Sequence, residues 1–346
     1  NTAVGTNSGL SLTNGTLNTL IGGRAGDGLT TGSNNVAIGF DALGTEDEHG
    51  YNVAVGHEAL KNLNAGSNGY NTAIGYNAAK ADQTGTGNTV VGAEAGLTFQ
   101  TGNSNTFVGR EAGKTSNGAS NNTFLGAYAG ANNTSGGNNV AIGYAALRDE
   151  DANGNNVAVG YSALKLQNAG SNAYNVAIGY DAGKAVTTGV GNTIMGGAAA
   201  DALTTGAYNI AIGAFSLSVE DTGNRSVAIG YAALENQNND ADNYNVAVGH
   251  NAGKMISTGT KNVIIGGLAG DALTTGGFNI AIGYAALSTE DGHGHNVAIG
   301  REALFAQNAD AEAYNVAIGD LAGKSVTTGT YNTIIGGLAG DALTSG

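Results

Sequence analysis

A pentapeptide of the form Asn-x-x-[Val/Ile/Leu/Met]-Gly recurs along the sequence, and its period constrains the fold more than any other feature. It starts at twenty places without a gap, and Ser226 replaces the Asn once. Successive starts are 17 residues apart, which we call a short step. After the starts at 52, 156, 226 and 296 the next start is 19 residues away, which we call a long step. A short fixed period is typical of a solenoid, in which each repeat is one coil stacked on the next. We therefore expect residues 1–346 to be a single continuous repeat array, taken from a longer fibre protein.

Each repeat contains a short stretch with strand character. We number every coil from its Asn, which is position 1. Positions 2 to 4, such as Val140, Ala141 and Ile142, are apolar or β-branched and too short for a helix, which predicts one strand per coil in an all-β parallel β-solenoid. We expect positions 2 and 4 to point into the coil and position 3, usually Ala, to point outward. Because such an interior is thin, the Ala face is predicted to pack against other copies of the chain.

Two further columns of the repeat predict the contacts between coils. Gly occupies position 5 in all twenty copies, which predicts a positive φ angle or a close approach of two backbones. The Asn at position 1 should align from coil to coil into a hydrogen-bonded ladder of amides. Both columns are predicted to be structural.

Composition and charge exclude several classes of protein. The chain has 60 Gly but no Pro, Cys or Trp, which rules out a disulfide framework, a cysteine-ligated metal site and a collagen helix. A net charge of −14 with scattered Lys and Arg argues against nucleic-acid binding. No apolar stretch approaches the ~20 residues of a membrane span, so no membrane insertion is expected from this segment.

The phrase Asn-Val-Ala-Ile-Gly-x-x-Ala, at 139–146 and 175–182, resembles a known repeat. It is similar to the YadA-like head repeats of trimeric autotransporter adhesins, and similar repeats occur in phage tail fibres. The resemblance implies a left-handed parallel β-roll, assembled as a homotrimeric fibre, that binds host surfaces or matrix. The 17/19 spacing is longer than the usual coil of that family and no neck, stalk or anchor is recognisable, so bacterial adhesin and viral fibre both remain open.

An acidic stretch, Asp149 to Gly154, separates two near-copies of the repeat. Asp149, Asp151 and Asn153 match the opening of a D-x-D-x-N-G calcium loop, in which alternating oxygen ligands surround a hard cation. The Glu expected at the twelfth position is absent, because residue 160 is Gly. The alternative is a solvated acidic turn. Calcium at these three residues is the only cofactor that the sequence suggests.

Other polar and aromatic residues also allow two readings. His293 and His295 lie beside Glu290 and Asp291, where they form either a metal site or an exposed loop. Tyr144, Tyr161 and Tyr180 occupy position 6 of consecutive coils and should stack as an aromatic ladder, which either contacts a glycan or receptor or only packs. A second series of Tyr residues precedes the Asn and should mark a corner of the coil.

The repetition itself favours a fibre over an enzyme. Catalysis needs one unique constellation of groups, whereas this chain repeats its polar residues in every coil or in every fourth coil. The sequence therefore predicts an extracellular, cell-surface or virion fibre that attaches through multivalent loops, with itself as one partner and a host-surface glycan or matrix protein as another. The alternative is a purely structural filament or sheath subunit. Ice binding is less favoured because the Thr residues at position 2 should point inside. Glycan hydrolysis is less favoured because the carboxylates that it would need lie in stretches that resemble exposed loops.

Overall fold

The structure, a computed structural model, describes residues 1–152 and 154–345. The chain divides into two compact units, Asn1–Tyr174 and Asn175–Gly346, which we call unit 1 and unit 2. Each unit is a parallel β-solenoid with ten three-residue strands, one per repeat, and no helix occurs in the described residues.

The strands follow the repeat from end to end. The strands of unit 1 are β1 (Thr2–Val4), β2 (Thr19–Ile21), β3 (Val36–Ile38), β4 (Val53–Val55), β5 (Thr72–Ile74), β6 (Thr89–Val91), β7 (Thr106–Val108), β8 (Thr123–Leu125), β9 (Val140–Ile142) and β10 (Val157–Val159). The strands of unit 2 are β11 (Val176–Ile178), β12 (Thr193–Met195), β13 (Ile210–Ile212), β14 (Val227–Ile229), β15 (Val246–Val248), β16 (Val263–Ile265), β17 (Ile280–Ile282), β18 (Val297–Ile299), β19 (Val316–Ile318) and β20 (Thr333–Ile335).

Within each unit every strand pairs in parallel with the strand of the next coil, in strict register. Val36 of β3 pairs with Val53 of β4, which lies one short step further along the chain. Val227 of β14 pairs with Val246 of β15, although a long step separates these two strands. The predicted parallel β-solenoid with one coil per repeat is therefore confirmed, and the two additional residues of a long coil leave the strand register unchanged.

The strand faces point the opposite way from the sequence prediction. The centre residue of every strand from β2 to β20 is buried, as at Ala37, while positions 2 and 4, such as Val36 and Ile38, are half-exposed. The prediction that positions 2 and 4 fill the interior and that Ala faces outward is wrong. Period-two alternation defines two faces but not which one is inside, and a shift of one residue exchanges them. The coil is thin, so it accepts one side chain from each strand rather than two.

In most coils the interior is filled by the coil's own residues, because positions 3 and 9 complement each other in size. Where both positions are small, as in the coil that starts at 315, side chains of the neighbouring coils reach the space beside position 9. Where position 3 is Ala141, position 9 is Leu147, and both are fully buried. Where position 3 is Phe124, position 9 is Gly130, and a β-carbon at Gly130 would collide with the Phe124 ring. The pairing of a large residue with a small one keeps the interior close-packed in both kinds of coil.

The Asn column forms the predicted ladder, but its bonds go to the backbone. Asn88 Oδ1 accepts the backbone N–H of Asn105 in the next coil at 2.9 Å. Its Nδ2 donates to the carbonyl of Gly102 at 2.9 Å. The same pair of bonds recurs in most coils of both units, so most of these buried amides satisfy two backbone groups that the turns would otherwise leave unpaired. Asn296 is an exception, since its Nδ2 has no hydrogen-bond partner among the described residues.

The glycine at position 5 shows both features that the sequence predicted. Gly196 has a φ of 140°, a region that L side chains rarely adopt. A β-carbon there would also lie 2.6 Å from the backbone carbonyl carbon of Gly213 in the next coil. Position 5 is therefore a turn and a point of close approach between backbones.

Candidate functional site

The acidic corner of the coil begins with a buried residue. Glu46, Glu150, Glu220 and Glu290 all occupy position 12 and have no solvent exposure. The alternative of a solvated acidic turn at 149–154 is therefore wrong for Glu150, which is buried. Position 12 is apolar in other coils, for example at Leu29 and Leu203. Spacing from the Asn would have revealed this column, because position 12 is apolar in ten coils and polar in the other ten, with Glu, Gln, Asp, Asn or Ser.

One of these carboxylates has all its hydrogen bonds satisfied by protein donors. Glu220 Oε1 accepts the backbone N–H of Gly223 at 2.7 Å. Its Oε2 accepts from Gln237 Nε2 at 2.9 Å and from Asn243 Nδ2 at 3.1 Å. A buried carboxylate with such partners closes the corner and is stable there without a bound ion.

Of the residues predicted to bind calcium, Asp149 and Asp151 lie in the described part of the chain. Asp149 accepts from Arg148 Nε and Nη2 at 2.8 and 2.7 Å and from Asn132 at 2.9 Å. Burial raises the pKa of the Asp149 carboxyl, but the hydrogen bonds and charge of Arg148 outweigh it and hold this pKa below its usual value. Asp151 is exposed, and Asn153 lies outside the described residues. The calcium site remains a prediction, in which Arg148 would compete with the ion for Asp149.

Two other corners bring three candidate metal ligands together. They are Glu46, Asp47 and His49 in unit 1, and Glu290, Asp291 and His293 in unit 2. In each corner the candidate ligand atoms lie within 4.8 Å of one another. His295, which the sequence placed in the same candidate site as His293, is not part of it.

His295 instead belongs to an aromatic column in the corner that precedes each Asn. Its ring stacks on Phe278 at a centroid distance of 5.0 Å and on Tyr314 at 4.7 Å. Tyr314 stacks in turn on Tyr331 at 5.3 Å. The sequence identified the Tyr members of this column but missed Phe278 and His295, although the shared spacing from the Asn was sufficient to find them.

The Tyr residues predicted for glycan or receptor contact lie on the surface. Tyr144 and Tyr161 in unit 1 stack at 5.2 Å with an angle of 11° between their rings. Tyr180 in unit 2 is exposed as well. Tyr144 also makes an edge-to-face contact with Tyr128, at a centroid distance of 5.7 Å.

The outward sheet face runs along the whole length of each unit and is partly apolar. It carries two ranks of half-exposed residues, position 2 (Val, Ile or Thr) and position 4 (Val, Ile, Leu or Met). With ten strands ~4.8 Å apart and ~10 Å of strand length, each face covers on the order of 450 Å². An apolar patch of this size, roughly 300–600 Å², is about the largest found on an ordinary monomer and often marks an interaction surface.

The remaining surface shows no recess that would enclose a small molecule within residues 1–152 and 154–345. Among the same residues no helix has the length and apolar character needed to cross a membrane. Comparison with family models, with curated proteins and with solved structures finds no match for the chain.

Proposed function

We propose that the chain is the shaft of an extracellular or virion fibre, in which several copies associate along the outward sheet face and repeated loops mediate attachment. The observation that carries this proposal is the face itself, on which position 4 is apolar in every strand and position 2 is Val, Ile or Thr. The resemblance of the repeat to YadA-like heads supports a homotrimer with the β-roll geometry of that family.

The reversed orientation of the strands strengthens the argument for association. An Ala face would offer little area, whereas Val and Ile at positions 2 and 4 each lose considerably more apolar surface on burial, at about 25 cal/mol per Å². Position 3 alone points into the coil and positions 2 and 4 lie outside it, so the outer ranks are available to contact a second copy. A thin solenoid gains a thicker core in this way.

The mass of the protein in solution tests the association. We expect sedimentation equilibrium to give about three times the 34.0 kDa of one chain. The double variant Ile212→Lys, Ile229→Lys places two charges on the face and should reduce the mass to that of a single chain. The control Val219→Lys alters an exposed side chain outside the strands and should leave the mass unchanged. A wild-type monomer would refute association along this face.

Attachment rests on the repetition of exposed groups. Copies of one loop recur in every coil or in every fourth coil, and together they present many weak contacts at high effective concentration. An array of glycans and matrix proteins tests this role, and a Tyr144→Ala, Tyr161→Ala variant tests the tyrosine pair. A uniform lack of binding would favour the purely structural filament.

The outward orientation of the Thr residues at position 2 favours a second candidate function, the ordering of water into ice. Thr72, Thr89, Thr106 and Thr123 lie on the outward face of four successive strands rather than inside. They form a regular rank of hydroxyls beside apolar residues. Thermal hysteresis that disappears in a Thr89→Leu, Thr106→Leu variant would support this use of the face, and no hysteresis in the wild type would exclude it.

A further inference from the structure

We propose that the corners formed by Glu46, Asp47 and His49 and by Glu290, Asp291 and His293 each bind one divalent transition-metal ion, of the chemistry of Zn²⁺ or Co²⁺. This role is independent of the fibre function. Three side chains with suitable donor atoms converge in each corner, within 4.8 Å of one another.

The contact between the imidazole and the buried carboxylate is the first reason. His49 Nδ1 lies 3.4 Å from Glu46 Oε1, and His293 Nδ1 lies 3.7 Å from Glu290 Oε1. Both Nδ1 atoms are buried and have no hydrogen-bond partner among the described residues. A carboxylate oxygen and an unprotonated ring nitrogen are both acceptors, so a cation or a proton must lie between them for the contact to be favourable.

The separation of the two atoms fits a metal better than a shared proton. Tetrahedral ligands at 2.0–2.2 Å from a zinc ion lie about 3.4 Å apart. A hydrogen bond to a carboxylate would be shorter, at about 2.7–2.9 Å when it is charge-assisted. The imidazole nitrogen also favours the zinc class over Ca²⁺, which takes six to eight oxygen ligands.

The charge of the corner is the second reason. Neither Glu46 nor Glu290 has a Lys or Arg partner in the described ranges, and their only ionic contacts are with His49 and His293. Glu290 is fully buried, its Oε1 accepts the backbone N–H of His293 at 3.1 Å, and its Oε2 has no hydrogen-bond partner of normal geometry among the described residues. Glu46 Oε2 accepts only a long bond from the backbone N–H of Ala65 at 3.4 Å, whereas Glu220 Oε2 accepts two shorter ones.

The sequence supplies an internal comparison. Four coils begin the corner with Glu-Asp, and the residue three after the Glu is His49 or His293 in two of them and Asn153 or Gly223 in the others. Glu220, in a corner without His, takes its hydrogen bonds from protein donors. Histidine is therefore not required to form the turn, and it is the ligand that distinguishes the two proposed sites.

Titration of the chelator-treated full chain with Co²⁺, followed by its visible absorption, tests the proposal. We expect two equivalents to bind per chain, one for each corner. His49→Asn and His293→Asn should each remove one equivalent, and the double variant should remove both. Asn is a suitable replacement because Asn153 occupies the same position of the repeat.

Controls separate the sites from adventitious binding. His57→Asn and His250→Asn change histidines that stack on Tyr76 and Tyr231 and should retain both equivalents. Asp47→Asn and Asp291→Asn provide a second route to the same loss if a histidine variant does not fold. A wild type that binds no Co²⁺, or a folded double variant that still binds two equivalents, would overturn the proposal.

Discussion

Asn192 Oδ1 accepts the backbone N–H of Asn209 at 2.9 Å, one coil further along unit 2. Asn192 Nδ2 donates to the carbonyl of Gly206 at 2.9 Å, so one side chain satisfies two groups of the next coil. Asn192→Ala would leave both groups buried without a partner and should lower the free energy of unfolding by roughly 2–5 kcal/mol. Thermal or urea unfolding measures the loss.

The natural exception in the column sharpens that prediction. Ser226 replaces Asn, but Gln237 lies between Ser226 and the next Asn of the column, since its Nε2 donates to Ser226 Oγ at 2.8 Å and its Oε1 accepts from Asn245 Nδ2 at 2.8 Å. In the coil of Asn192 the residue at the position of Gln237 is Leu203, so Asn192→Ser should be nearly as damaging as Asn192→Ala. The exposed Asn238 serves as a control, and Asn238→Ala should change stability by less than about 0.5 kcal/mol. Equal effects of the Asn192 and Asn238 variants would contradict a structural ladder.

Two adjacent glycines should respond very differently to alanine. Gly196→Ala combines a positive φ with a 2.6 Å approach to Gly213, and should cost at least about 2 kcal/mol. At Gly197 a β-carbon meets no described atom within 4 Å, so Gly197→Ala should be neutral within about 0.5 kcal/mol. The melting temperatures of the two variants test whether the backbones at Gly196 and Gly213 approach closely. A Gly196→Ala variant that melts at the wild-type temperature would contradict this.

The size complementarity of positions 3 and 9 predicts a compensating pair. Phe124 is fully buried and stacks on Phe107 at 5.1 Å, so Phe124→Ala should cost about 3–5 kcal/mol through the cavity it creates. Adding Gly130→Leu reproduces the Ala141 and Leu147 arrangement and should recover part of the loss. A double-mutant cycle measures the coupling, and a purely additive result would show that the two positions do not share one space.

A buried aspartate should make the stability of unit 1 depend on pH. Burial raises the pKa of Asp82 from 3.8 to about 7. The folded state therefore prefers the protonated carboxyl, and the free energy of unfolding should fall as the pH rises from 3.8 to about 7 and stay level above. The total change is on the order of 4 kcal/mol, since one pKa unit corresponds to about 1.4 kcal/mol.

The variant Asp82→Asn isolates this effect. Asn133 occupies the same position of another coil in unit 1, where it donates to the carbonyl of Gly136 at 3.0 Å, so an amide is compatible with the site. The variant should melt at a higher temperature than the wild type at pH 8 and nearly equally at pH 4. If the difference in melting temperature between the variant and the wild type were the same at pH 4 and pH 8, Asp82 would not be the titrating group.

The sequence predicted the parts of the fold that follow from the repeat period and from residue types with one structural role, such as Gly at position 5 and Asn at position 1. Twenty anchors at short and long steps define one coil each, and Gly196 and Asn192 have the roles that their residue types predicted. Which strand face is inside could not be predicted from alternation alone. The residue at position 9 held that information. Leu occurs there only in coils whose position 3 is Ala, as at Leu147 and Ala141, which indicates that the two side chains share one space.

The candidate site was harder to predict because it depends on corners rather than strands. The sequence placed His293 and His295 together because they are two residues apart. The turn between them directs His293 toward Glu290 and His295 toward Phe278, so neighbours in sequence belong to different columns. Counting from the Asn, rather than between the histidines, separates them.

The coil that starts at Asn52 shows where its additional length is placed. Asn64 N–H still donates to the carbonyl of Gln83 at 2.8 Å, as Thr30 does to Asp47 in a coil of the shorter kind, and the Asn71 backbone N–H still donates to Asn52 Oδ1. The two extra residues therefore lie between 65 and 70, where 66–68 are exposed. Length at this corner is uncoupled from the sheet, so a foreign peptide grafted there would be displayed by a scaffold whose remaining coils need no redesign.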